Sequence, residues 1–140
     1  MFERILLAVD GSDHALNAAR TAGELVRVMK ADVLRIVIAY DPIPSYLGEP
    51  NLQQAIDARL QEANGILEAA VASVGEVPID IHTELIEGSP AEAILNVADT
   101  RQSDLIVMGS RGLGVLTGAL LGSTSQKVIS HAPCPVLIVR

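Results

Sequence analysis

The chain has 140 residues, 49% of them hydrophobic and 19% charged, with a net charge of −7 and only 2% aromatic residues. That is one domain's length, enough to bury a real core, and too apolar for a disordered chain. The acidic balance and ten scattered Lys and Arg residues exclude the basic stripe of a nucleic-acid-binding module, and no stretch approaches the roughly 20 apolar residues that cross a bilayer.

The first apolar run, Arg4 to Val9 (RILLAV), reads as a strand. It is too short for the core of a signal peptide and ends at Asp10, so a cytoplasmic location is expected. Ser12 to Met29 sets Ala15, Ala18, Ala19, Ala22, Leu25, Val26 and Met29 at three-to-four spacing, the pattern of an amphipathic helix. Asp32 to Ala39 (DVLRIVIA) is a second strand. Asp41 to Pro50 (DPIPSYLGEP) holds three of the seven prolines and reads equally as a solvated connector or a functional loop. Asn51 to Val74 is a second helix, with Leu52, Ile56, Leu60, Ala63, Leu67, Ala70 and Val74 on one face. In Ile79 to Ile86, Ile79, Ile81, Thr83 and Leu85 alternate with Asp80, His82 and Glu84, so this strand has one exposed face and belongs at a sheet edge. Ser89 to Thr100 opens with Ser-Pro, an N-cap followed by a first helical position, and presents Ala91, Ile94, Leu95 and Ala98 on one side. Asp104 to Met108 (DLIVM) is the fourth strand, Gly122 to His131 a short helix, and Val136 to Val139 (VLIV) the last strand. Cys134, the one cysteine, excludes an intrachain disulfide and reads as a small buried hydrophobe ahead of that strand.

Strands alternating with helices predict an α/β fold with a parallel sheet covered on both faces, joined by right-handed crossovers. Ligands in such sheets bind beyond the carboxyl ends of strands, where the strand order reverses. Two strands end in polar or glycine-rich turns: the first at Asp10, Gly11 and Ser12, the fourth at Gly109, Ser110, Arg111, Gly112 and Gly114. An open, Rossmann-like five-stranded sheet of order 3-2-1-4-5 makes those turns neighbours. The same order puts the alternating strand at an edge.

Gly109, Gly112, Gly114, Gly118 and Gly122 are five of the eleven glycines. Glycine lets backbone N–H groups come close to a ligand. The last of them leads into Ser123, Thr124 and Ser125 at a helix start, where free N–H groups and the helix dipole attract an anion and hydroxyls add donors. The pattern is one for holding phosphates, set against a plain loop with a serine cap. It is not a Walker-A loop, since GxxxxGK[ST] is absent, and Gly112 to Gly118 matches a dinucleotide fingerprint only loosely, without the acidic residue about 20 positions on. Arg111 and Lys127 add positive charge nearby. Asp10 is the one obvious carboxylate, a seat for a nucleotide-borne Mg²⁺ but no complete catalytic set. Ser12 reads as a cap and His14 as a surface residue. The three histidines, His14, His82 and His131, lie on separate elements, so no transition-metal site is expected.

The sequence resembles the universal stress protein family along nearly its whole length. Gly109-x-x-Gly112, nine residues, then Gly122-Ser123 has the spacing of the G-2x-G-9x-G-[S/T] motif of its ATP-binding branch. ILLAVDGS, EGSPAEAIL, DLIVMGSRG and SHAPCPVLIVR match in order around it. The resemblance implies an adenine nucleotide alpha hydrolase-like sheet with ATP, or AMP or ADP, lying across strands 1 and 4. Asp10, Gly11 and Ser12 would lie beside the adenosine, and Ala39 would pack on the adenine. Met108, Gly109 and Gly112 would hold the ribose and first phosphates, and Gly122, Ser123 and Thr124 the phosphate chain. It also implies a homodimer through Val136, Leu137, Ile138 and Val139. Ala39 is smaller than the valine of many relatives, so a looser adenine contact is expected. The function implied is a nucleotide-dependent regulatory or stress-response module with at most slow ATP hydrolysis. A hydrolase or nucleotidyl transferase of the same α/β class and a nucleotide-free dimerisation scaffold are the alternatives.

Overall fold

The computed structural model describes residues 1–111 and 121–140. The elements in chain order are β1 (Arg4–Ala8), α1 (Asp13–Met29), β2 (Val33–Tyr40), α2 (Asn51–Val74), β3 (Ile81–Glu87), α3 (Pro90–Thr100), β4 (Leu105–Gly109), α4 (Ser123–His131) and β5 (Val136–Val139). The strands form one parallel sheet of order β3-β2-β1-β4-β5. This is the predicted Rossmann-like α/β layout, and the reversal falls between β1 and β4.

The sheet is buried on both faces because its central strands are apolar at most positions, with Arg4 and Arg35 the charged exceptions. Ile5, Leu7, Leu34, Ile36, Leu105 and Val107 point into the core shared with α1 and α2. Leu6, Ala8, Val37, Ile106 and Met108 point into the core shared with α3 and α4. Alternate residues of one strand thus serve two cores, as the period of two requires. Each fully buried Leu or Ile contributes about 1.5–3 kcal/mol. Leu7 lies opposite Ile36 on one side and Val107 on the other, which fixes the register at the centre.

Small residues set the helix positions. The buried stripe of α1 is Ala15, Ala18, Ala19, Ala22, Gly23 and Val26. A Cβ on Gly23 would fall 2.1 Å from the Val74 carbonyl oxygen, so α1 and the end of α2 meet backbone to backbone. On α2 the predicted stripe holds at Ala63, Leu67, Ala70 and Val74. It fails at Leu60, which is 37% exposed, because the first half of α2 extends past the core. Residues 41–50 form a connector with one 3-10 turn at Ser45–Leu47.

The alternating strand is at an edge, as its pattern predicts. Ile81 and Leu85 pack toward α1 and α2. Thr83, which shares their face in the sequence pattern, is exposed, and Glu84 is only partly so. Glu84 takes bonds from Arg35 of β2 at 2.8 Å and Arg101 at the end of α3 at 3.0 Å. Cys134 is half-buried rather than buried. Burial, with the Asp104 carboxylate second, pushes its thiol above the ordinary value.

Candidate functional site

A cavity of about 310 Å³ opens at the carboxyl ends of β1, β2 and β4. Its floor follows from the two-residue period of the strands. Ala8, Val37, Ala39 and Met108 line it, and Val37 and Ala39 are two residues apart on one face of β2. Pro90 and Ile94, four positions apart on α3, close one side. This end is apolar. At the other end Asp10, Ser12, Gly109, Arg111, Gly122, Ser123, Thr124 and Ser125 supply the polar lining. The cavity has one apolar end and one end made of backbone, hydroxyls and a helix start.

The β1 side is organised locally. Asp10 Oδ1 accepts from the Ser12 N–H at 2.9 Å and from the Ser12 hydroxyl at 2.6 Å. Ser12 Oγ accepts in turn from the Ala15 N–H at 3.2 Å, capping α1. The expected cap is therefore present, and it also fixes the Asp10 carboxylate. Gly11 differs from expectation. It does not line the cavity but lies on the far side of the turn, in a smaller hollow beside Ile66 of α2. Its φ is +88°, and a Cβ at this position would stand 3.2 Å from Ile66 Cδ1. Both facts explain why the residue is glycine.

The β4 side is organised by distant partners. A Cβ on Gly109 would meet His14 Cβ at 2.8 Å and the His14 carbonyl carbon at 2.9 Å. The absence of a side chain there lets the first turn of α1 rest directly on β4. That contact overturns the surface reading of His14, which is half-buried with Nδ1 2.7 Å from Ser110 Oγ. Ser110 is itself 2% exposed. The Gly122 N–H donates to the Ser110 carbonyl at 2.7 Å. Gly122 is the N-cap of α4 and offers no side chain to it, so the first N–H groups of α4 meet whatever lies in the cavity. Ser125 differs from the hydroxyl donor expected at this helix start. Its Oγ donates to the Gly109 carbonyl at 2.9 Å, inside the protein.

Of the predicted site residues, Asp10, Ser12, Ala39, Met108, Gly109, Arg111, Gly122, Ser123 and Thr124 line one cavity. Gly112 lies outside the described residues, as do Gly114 and Gly118. Lys127 is exposed and not part of the lining, and no residue of 41–50 is either. Val37, Pro90 and Ile94 escape the sequence reading. Their signal is present in it, since Val37 shares a face with Ala39, and Ile94 shares one with Pro90 at the helix start. Asp10 is the one carboxylate among the described lining residues. No group of three or more His, Cys, Asp or Glu residues among the described residues is placed to hold a metal, and no helix among them is long and apolar enough to cross a membrane. Among the described strands β5 forms the edge beyond β4. Val136, Ile138 and Val139 pack on the chain's own core, and Leu137 is 36% exposed.

The sheet order and the cavity at its reversal define a doubly wound α/β protein with a cleft at the switch point. The chain belongs to the universal stress protein family, whose profile matches residues 1–140. It is 50% identical over 140 residues to the "universal stress protein in QAH/OAS sulfhydrylase 3'region" of Thermus aquaticus, covering all of both chains. Among solved structures it resembles the universal stress protein UspA of Lactobacillus plantarum, at 28% identity and a TM-score of 0.86, covering 99% of this chain and 98% of that one. It also resembles a universal stress protein solved in complex with cAMP, at 31% identity and a TM-score of 0.70, covering 99% of this chain and 97% of that one.

Proposed function

We propose that the cleft binds an adenine nucleotide, ATP or else AMP or ADP, and that the chain is a nucleotide-dependent regulatory module. The observation that carries this reading is the two-ended lining. An apolar end at Val37, Ala39, Ile94 and Met108 suits an adenine, and the start of α4 at Gly122, Ser123 and Thr124 suits phosphates. The cAMP complex of a structural neighbour at 31% identity supports an adenine nucleotide in this fold. Asp10 is placed at the polar end with Oδ1 already accepting from Ser12, and it is the residue that would meet a nucleotide-borne Mg²⁺. Asp10 is the single carboxylate base in the described lining, short of a complete set for activating a water. Hydrolysis in this reading is at most slow, and the nucleotide acts as a ligand rather than a fuel.

The functional unit in this reading is a homodimer through β5. Among the described residues Val136 to Val139 form the outer edge of the sheet, and the exposed Leu137 adds apolar area. The test is thermal melting of the purified chain. Millimolar Mg-ATP raises the melting temperature, by the equivalent of about 2.7 kcal/mol at a hundredfold excess over Kd. Gly122→Val, which puts a branched side chain into the phosphate end, abolishes the rise. No rise in the unsubstituted chain overturns the reading in favour of a nucleotide-free scaffold. ATP consumption over many turnovers, lost in Asp10→Ala, would instead favour an enzyme.

A further inference from the structure

Ser110 is anchored to three different elements. Its N–H donates to the Val139 carbonyl of β5 at 2.8 Å, and its carbonyl accepts from the Gly122 N–H at 2.7 Å. Its buried hydroxyl meets His14 Nδ1 at 2.7 Å. Either tautomer of a neutral imidazole satisfies this last bond, because a hydroxyl both donates and accepts. His14 does not line the cleft. It grips two consecutive residues at the end of β4, Gly109 through backbone and Cβ contact and Ser110 through the ring.

The consequence reaches α4. Gly122 caps that helix without a side chain, and a glycine left to itself has wide backbone freedom. Two residues tie the start of α4 to the end of β4: the Gly122 N–H donates to the Ser110 carbonyl, and Ser125 Oγ donates to the Gly109 carbonyl at 2.9 Å and lies 3.3 Å from that of Ser110. The aim of the first N–H groups of α4 therefore depends on the seat of Gly109 and Ser110, and His14 meets both of those residues while Val139 holds the Ser110 N–H. We infer that His14 is a positioning residue for the anionic group of the ligand: through Ser110 it fixes the Gly122 cap and directs the start of α4 into the cleft, without touching the ligand. This rests on the nucleotide reading above. It adds a residue that acts on the phosphates alone, since the apolar end at Val37, Ala39 and Ile94 is held by other contacts.

The test separates phosphate binding from adenosine binding in the full chain. Calorimetric titration with adenosine and with Mg-ATP gives the phosphate contribution as the ratio of the two affinities. His14→Ala and Ser110→Ala each weaken Mg-ATP about fivefold, the size of one neutral hydrogen bond, and leave adenosine unchanged. The double variant is no weaker than either single one, because both remove the same link. His14→Asn, whose amide stands as many bonds from Cβ as Nδ1 does, recovers most of the loss. A residue that merely stabilised the fold would weaken both ligands alike and would not be rescued. Equal losses for adenosine and ATP overturn the inference, as do unchanged ATP affinity in both single variants or additive losses in the double. If His14→Ala does not fold, Ser110→Ala and His14→Asn carry the same comparison. If the unsubstituted chain binds Mg-ATP no better than adenosine, the phosphate reading itself fails, a result separate from any behaviour of His14.

Discussion

On the β1 side of the cleft, Asp10, Ser12 and Ala15 satisfy one another across two or three positions of sequence. On the β4 side, Ser110 is held by His14, 96 positions away, and by Val139 and Gly122. Both sides present polar groups to the same cavity, but they come into being differently. The β1 turn is held mainly by its own residues, with one longer reach from Ser12 Oγ to the Arg111 carbonyl at 3.4 Å, because a serine cap and an aspartate turn close short loops at little entropic cost. The β4 turn exists only once α1, β5 and α4 have docked. Its geometry is a tertiary property, and it is the side through which a change elsewhere in the chain reaches the ligand.

That contrast can be broken most sharply at Gly109. Gly109→Ala sets a Cβ against the backbone of His14 and Ala15, which neither element can yield without moving. It lowers stability by about 3 kcal/mol, read as a urea midpoint shift, and it weakens nucleotide binding with it. Gly11→Ala tests the local side. The strain of its positive φ and the contact with Ile66 lower stability by about 1–2 kcal/mol. Gly11→Asn, which tolerates that conformation, costs less, and a reversed order between Asn and Ala would refute the strain argument. Ser12→Ala removes the α1 cap and the tether on Asp10 together, and costs about 1 kcal/mol in the same assay. The loss should be additive with Ser110→Ala if the two sides are independent.

Cys134, near the amino end of β5 and away from both sides, gives the smallest expected effect. Burial and Asp104 raise its folded pKa above the unfolded value. The neutral thiol therefore adds stability that is complete below the unfolded pKa and is lost as pH rises through the folded one. Stability above the ordinary thiol range falls less steeply in Cys134→Ala than in the unsubstituted chain, as denaturation across alkaline pH would show.

Much of the fold and the site is legible in the residues alone. Four of the five strands announce themselves as apolar runs, and the alternation in Ile79 to Ile86 places the remaining one at an edge. Ser12 and Pro90 mark helix starts because capping chemistry is local. Contact between distant segments stays hidden. Gly11 and Gly109 look alike in sequence, yet one turns its bare face to α2 and the other to α1. Ser125 reads as a free donor until the Gly109 carbonyl is brought beside it. Leu60 continues a regular stripe, and nothing local says that the core ends before it.

The sequence by itself determined the parallel α/β sheet, its order, and the two turns that flank the cleft. Period-two and period-3.6 patterns, caps and turn residues act over a few positions, and those rules carry that information. Only the tertiary structure decided which groups face the ligand and which hold the others in place. His14 changed from a surface residue to the anchor of Ser110 because a glycine one strand away left room for it, and such close approach between segments far apart in the chain follows from packing, which no local pattern encodes.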